Sequence, residues 1–310
     1  MGILNRASDG LPSVLVVLVR VLHKKGRMKR EQLEALVAPP SLQRVSQTFD
    51  NGKMFRQTLK RWTQIGLFVE EEGEVALSEE CTLGVTAGVE GLRALGNQCR
   101  RLVLAPKNNE DLVRVEPSQA ADFTRALCWV LAQDPFRLTT GGYNEVISRM
   151  EIEQFQSEPW AFHPNSTRWD GFRDWAPLLG FGWLSSLSSS RSAVFIADPT
   201  EAVAQAMPAV FGTRTELPES DFFAGLAAHL PVLDGGSYRR SIEACLSENK
   251  WRPTALHEVS PTLTLSLFRL QEENRLVLES RSDAPHRTLL GLGFAEVGRV
   301  SHLALPQRAS

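Results

Sequence analysis

The sequence has no apolar stretch of membrane-spanning length. Its longest run, Val14–Leu22, is nine residues interrupted by Arg20, whereas a spanning helix needs about 20. A secretory signal is not expected either, because the basic cluster follows that run and no small-residue cleavage site succeeds it. Cysteine is sparse. Cys81, Cys99, Cys128 and Cys245 are scattered, without a CxxC pair or a histidine at ligand spacing, so reduced thiols in a cytoplasm are expected and a metal centre is not. The six histidines (23, 163, 229, 257, 286, 302) are dispersed, with no pair at i, i+3 or i+4. The motifs GxxxxGK[ST], GxGxxG, GxSxG and HExxH are all missing. Gly291-Leu292-Gly293 lacks the third glycine, while Asp234-Gly235-Gly236 and Gly141-Gly142 read as turns. Glu70–Glu74 is a run of adjacent surface carboxylates, not two groups held across a cleft. These absences predict no catalytic residues, no cofactor and no enzyme.

What is present is a chain of 310 residues, 43% hydrophobic, enough to bury a sizeable core and to divide into two or three domains. The net charge of −2 hides an asymmetry. Residues 1–66 hold twelve Lys and Arg against four acids, which leaves 22 cations and 32 anions for the remainder. A basic N-terminal module on an acidic chain suits a polyanionic partner, since neutralising phosphates releases condensed counterions. The plainer reading of Lys24, Lys25, Arg27, Lys29 and Arg30 is a solvated helix end and loop.

Residues 50–80 organise this module. With Asp50 or Asn51 as cap, the spacing predicts a helix over 53–65 whose Phe55, Leu59 and Trp62 share one face at i, i+4 and i+7. Lys53, Arg56, Gln57 and Lys60 recur on the other, next to Arg61. Gly66 suits a left-handed stop, and 67–69 with 74–77 read as a hairpin around Gly73. Upstream, Pro12 begins one helix that ends near Lys25-Gly26, and an amphipathic segment, Met28–Val37, is halted by Pro39-Pro40. Helix, helix, basic helix and hairpin is the order of a winged helix-turn-helix. The acids at the wing, Glu70, Glu71, Glu72 and Glu74, would repel a phosphate backbone. Contacts to DNA are therefore expected from Lys53, Arg56, Gln57, Lys60 and Arg61, and from Lys24, Lys25, Arg27, Lys29 and Arg30.

Residues 85–133 read as a helical layer, with Leu92, Leu95 and Cys99 on one helix and Ala121, Ala126, Leu127, Val130 and Leu131 on another. A polar turn at Pro106–Asn109 separates them, and Cys128 and Trp129 are expected in the core. Asn165 caps a helix carrying Trp169, Phe172, Ala176 and Leu179, which Pro177 should kink or end. Gly180 then precedes hairpin-like sequence reaching Ala193–Ala197, so the helix, glycine, hairpin order of the first module recurs. A third copy starts at Ser260-Pro261, with Leu263, Leu267 and Leu270 on one face and Asn274 at the breaking position. Its wing would pair 276–278 with 288–290, and Arg281 and Arg287 are secondary phosphate candidates. The expected fold is mainly α with short β-hairpin wings, as tandem winged modules. Its divisions are 1–82 (first module), 83–138 (connecting helices), 139–210 (second module) and 211–310 (third module).

Four segments together suggest a family. Ile3–Asn5 through Asp9–Leu15, Leu230–Arg240, Ser260–Pro285 and Arg299–His302 resemble the DpdG component of bacterial Dpd anti-phage defence systems, which insert 7-deazaguanine derivatives into DNA and restrict DNA that lacks them. The resemblance implies a non-enzymatic part of the restriction arm, working with other defence-system proteins. It carries over no catalytic residues.

The leading expectation is thus a cytoplasmic protein that binds duplex DNA, largely without sequence preference, because Gln57 is the only one of Lys53, Arg56, Gln57 and Lys60 whose amide could read a base edge. A homodimer is compatible with it, and no membrane partner is expected. The alternatives are a tandem winged-helix adaptor that binds proteins, favoured by exposed aromatics such as Trp160, Phe162 and Trp183, and a transcriptional regulator.

Overall fold

A computed structural model describes residues 10–39, 51–84, 87–110, 112, 119–138, 143–155, 165–185 and 194–307. The Asp50 cap, Pro40, the Gly141-Gly142 turn, Trp160 and Phe162 lie outside the described residues. The fold is mixed α/β, predominantly helical with small sheets. It divides into two compact units, one of residues 1–123 with 165–179 and one of residues 124–164 with 180–310.

The first unit begins with helix α1 (Pro12–Lys25), strand β1 (Met28–Lys29) and helix α2 (Arg30–Val37). Helix α3 (Asn51–Ile65) and the hairpin β2 (Phe68–Glu71) and β3 (Glu74–Leu77) follow. Pro12 opens α1, which buries Leu15, Leu18, Val19 and Leu22. On α3, Phe55, Leu59, Trp62 and Ile65 are fully buried. Their i, i+4, i+7 spacing is what creates the stripe. Gly66 ends α3 at φ +99°, where its N–H reaches Thr63 O at 3.1 Å and that of Leu67 reaches Trp62 O at 2.8 Å. Those two bonds satisfy carbonyls that the helix end would otherwise orphan. The hairpin turns at Glu72 and Gly73, both at positive φ, the geometry that follows strand twist. β1 pairs with β3, giving a sheet of order β1-β3-β2.

Helix α4 (Gly88–Val103) buries Leu95 and Cys99, but Leu92 is 42% exposed. The polar turn at Pro106–Asn109 is buried at Asn108 and Asn109. Asn108 Nδ2 donates to Ile65 O at 3.0 Å and to Leu102 O at 2.8 Å, closing the last turns of two helices. Helix α5 (Ala121–Leu131) follows, with Ala126, Leu127, Cys128, Trp129 and Val130 fully buried. Short helices α6 (Pro135–Leu138) and α7 (Ser148–Gln154) belong to the second unit. Helix α8 (Ser166–Leu178) returns to the first, with the Asn165 side chain accepting from Arg168 N–H at 3.0 Å. It buries Trp169, Phe172, Trp175 and Ala176 and ends directly after Pro177. Trp175 lies 5.4 Å from Trp62, centroid to centroid.

In the second unit, the hairpin expected after Gly180 is present as β4 (Gly182–Ser185) against β5 (Val194–Ala197). Helix α9 (Thr200–Phe211), β6 (Glu216–Pro218), α10 (Glu219–His229), α11 (Ser237–Glu243), β7 (Glu258–Val259) and α12 (Pro261–Glu272) come next. Asn274 does end α12, at φ +53°, with Arg275 N–H bonded to Leu270 O. The expected third wing is not formed. β8 (Val277–Glu279) pairs with β11 (His302–Ala304), which also pairs with β6. β9 (Arg287–Leu290) pairs instead with β10 (Glu296–Val300), and in parallel with β7. The C-terminal strands compete for the same partners, and alternation within 276–290 carries no signal of which neighbour wins. Among the described residues no helix is long and apolar enough to cross a membrane.

Candidate nucleic-acid interface

The basic row of α3 is presented as its periodicity requires. Lys53, Arg56 and Lys60 are exposed and Gln57 is half-buried, opposite the fully buried Phe55, Leu59 and Trp62. Lys24, Lys25, Arg27 and Lys29 are exposed at the end of α1 and along β1, with Arg30 half-buried. The neighbouring cation Arg61 is different. It is only 4% exposed, and its Nη1 donates to Gln64 Oε1 at 3.1 Å. One residue further round the helix than Lys60, it faces the core.

Several of the cations already face carboxylates of the same unit. Arg27 Nη1 lies 3.0 Å from Glu71 Oε2, Arg30 Nη1 2.9 Å from Glu70 Oε1, and Arg56 Nη1 2.9 Å from Glu34 Oε1. The first two pairs arise because β1 lies beside β3, bringing the basic loop to the acidic hairpin tip; Arg30 N–H also donates to Gly73 O. All six side chains are at least a quarter exposed, and such pairs contribute at most about 1 kcal/mol. The role of Glu34 was not legible beforehand, since it depends on how α2 crosses α3.

The secondary candidates are engaged within the second unit. Arg281 donates to Glu216 Oε1 at 3.0 Å and is bonded to Glu279 as well. Those bonds raise its pKa above the usual arginine range, and the Arg281 hydrogen bond lowers that of Glu216. Arg287 Nε lies 2.6 Å from Glu219 Oε2, with its guanidinium 4.7 Å above the Phe223 ring. Neither arginine sits at a wing tip, because the wing they were assigned to does not form.

The chain matches the DpdG-like family over residues 1–284. It belongs to that family. Membership carries a role in the Dpd system, with other Dpd proteins as its partners. The match covers all of the first unit and the second as far as residue 284, so it stops between Arg281 and Arg287. No curated protein and no solved structure matches this DpdG-like chain.

Proposed function

We propose that this DpdG-like protein is a non-enzymatic, duplex-binding component of the Dpd system, and that its first 82 residues act as a winged helix-turn-helix. The order helix, strand, helix, helix, hairpin supports that reading, as does a sheet in which the first strand adds to the hairpin. The observation that carries it is the division of α3, a fully buried apolar stripe on one side and exposed Lys53, Arg56 and Lys60 on the other. Lys60, with Lys24, Lys25 and Lys29, would take phosphates directly. The exposed arginine pairs are weak enough for phosphate oxygens to replace the carboxylates. Gln57 is the one amide for base reading. Titration of a generic duplex at two salt concentrations tests this. The triple variant Lys53→Glu, Arg56→Glu, Lys60→Glu should abolish binding at moderate salt and lower the salt slope by about 0.9 per phosphate contact removed. Unchanged affinity would discard the interface.

A second reading, a protein-binding adaptor, draws on the same ion pairs. The Arg27–Glu71, Arg30–Glu70 and Arg56–Glu34 pairs balance much of the charge, and Leu36 on α2 is 55% exposed. Co-elution with another Dpd protein, without any shift of duplex mobility at low salt, would favour it.

A further inference from the structure

The second unit contains a cavity of about 390 Å³, within the usual range for small-molecule sites. Buried polar groups in its lining are the amides of Gln133 and Gln154, 3% and 4% exposed, and Asp134, 3% exposed. The two amides are fixed in a chain: Trp129 Nε1 donates to Gln154 Oε1 at 2.8 Å, Gln154 Nε2 to Gln133 Oε1 at 2.9 Å, and Gln133 Nε2 to Trp129 O at 3.0 Å. Each side-chain amide has a second N–H that these bonds do not use.

The walls are aromatic. Trp251 is held by its indole N–H on Ala132 O at 3.2 Å. Phe294 stands at φ +62°, a conformation that bulky side chains rarely adopt and that concentrates at functional sites. The loop bearing it is pinned by Gly293 N–H to Asp134 Oδ2 at 2.8 Å, while Asp134 Oδ1 accepts from Phe136 N–H. Both carboxylate oxygens of this buried acid are thus occupied by backbone. The charged lining is Arg137, Lys250 and Arg252 with Asp134 and Glu248; the Arg252 guanidinium lies 4.8 Å above the Phe294 ring and pairs with Glu258 Oε1 at 2.9 Å.

Aromatic walls, fixed amides and the cation Lys250 beside an Arg252 whose exposed ion pair a phosphate can replace suit a flat heterocycle bearing an anion. We infer that this pocket binds a nucleoside monophosphate, its base against Phe294 and Trp251 and its phosphate at Lys250 and, in exchange for Glu258, at Arg252. The same chemistry is offered by a free nucleotide and by the phosphorylated end of a strand.

Calorimetric titration of the full chain with the four 5′-mononucleotides, inorganic phosphate and a 5′-phosphorylated dinucleotide tests the assignment. At least one mononucleotide should bind saturably, and at least tenfold more tightly than phosphate. Tighter binding of the mononucleotide than of the dinucleotide identifies a free nucleotide, and the reverse identifies a strand end. Lys250→Glu, at an exposed position, should weaken binding at least tenfold. Phe294→Gly should weaken it similarly while raising the melting temperature, which separates loss of the site from loss of the fold. No saturable binding of any mononucleotide, or unaltered binding in both variants, overturns the inference.

Discussion

Glu34 Oε1 accepts from Arg56 Nη1 at 2.9 Å, so a carboxylate of α2 occupies the middle of the basic row that α3 offers to solvent. A phosphate and Glu34 would compete for one guanidinium. If Arg56 serves a phosphate, Glu34→Gln should tighten duplex binding a few-fold, because the carboxylate no longer competes for the guanidinium, and leave the salt slope unchanged, since the number of phosphate contacts stays the same. Stability should change by less than about 1 kcal/mol, because the pair is exposed. Anisotropy titrations at two salt concentrations, beside a urea melt, read both quantities. Weaker binding by the variant would mean that the pair holds the helix in place.

Gly66 and Asn274 end their helices with the same two-bond pattern, and they make opposite predictions. Gly66 sits at φ +99°, where an added Cβ meets nothing closer than Lys107 Nζ at 3.9 Å. Gly66→Ala should therefore cost about 1 kcal/mol or somewhat more, purely from backbone conformation. Asn274 is at φ +53°, so Asn274→Gly should be neutral or slightly stabilising there. Denaturant unfolding of the two variants compares them directly.

This contrast also shows what was legible in the sequence. Helix stops, the buried stripe of α3 and the hairpin at Gly73 follow from spacing and from glycine chemistry, which act within a few residues. The pairing of β8 with β11 and of β9 with β10 does not, because it joins residues 6 to 27 apart in segments that have no distinctive alternation. Charge was half legible. Lys53, Arg56 and Lys60 were placed on the exposed face by period, yet the carboxylates opposing Arg27, Arg30 and Arg56 come from other elements. Arg61 was lost for the opposite reason, since a cation beside a basic row looks like part of it until the helix phase is fixed.

Thiol chemistry should be slow. Burial pushes the Cys81 thiol from its ordinary 9.0 up to about 11, and raises Cys99, Cys128 and Cys245 as well. At pH 8 only about one Cys81 side chain in a thousand is then thiolate, and thiolate is the reactive form. Alkylation of the folded chain should accelerate roughly tenfold per pH unit up to about pH 11. The linked stability has the same sign: a raised thiol pKa contributes fully below pH 9 and is lost as pH rises through the folded value. Fast, pH-independent labelling of the folded chain would contradict the burial of these thiols.

Gly96 offers a sign reversal. In an isolated helix, replacing an interior glycine by alanine stabilises by about 1 kcal/mol. Gly96 lies within α4, where a Cβ would come to 2.3 Å of Leu178 O at the end of α8. The obstacle is backbone, which cannot swing aside like a flexible side chain, so α4 and α8 would have to separate. Arg100, one turn along, donates from Nη1 to Leu179 O at 2.9 Å and would be drawn away with it. Overpacking typically costs about 1–3 kcal/mol, which outweighs the gain in propensity. Gly96→Ala should therefore lower the midpoint of urea unfolding, and a raised midpoint would show that the two helices do not approach at this glycine.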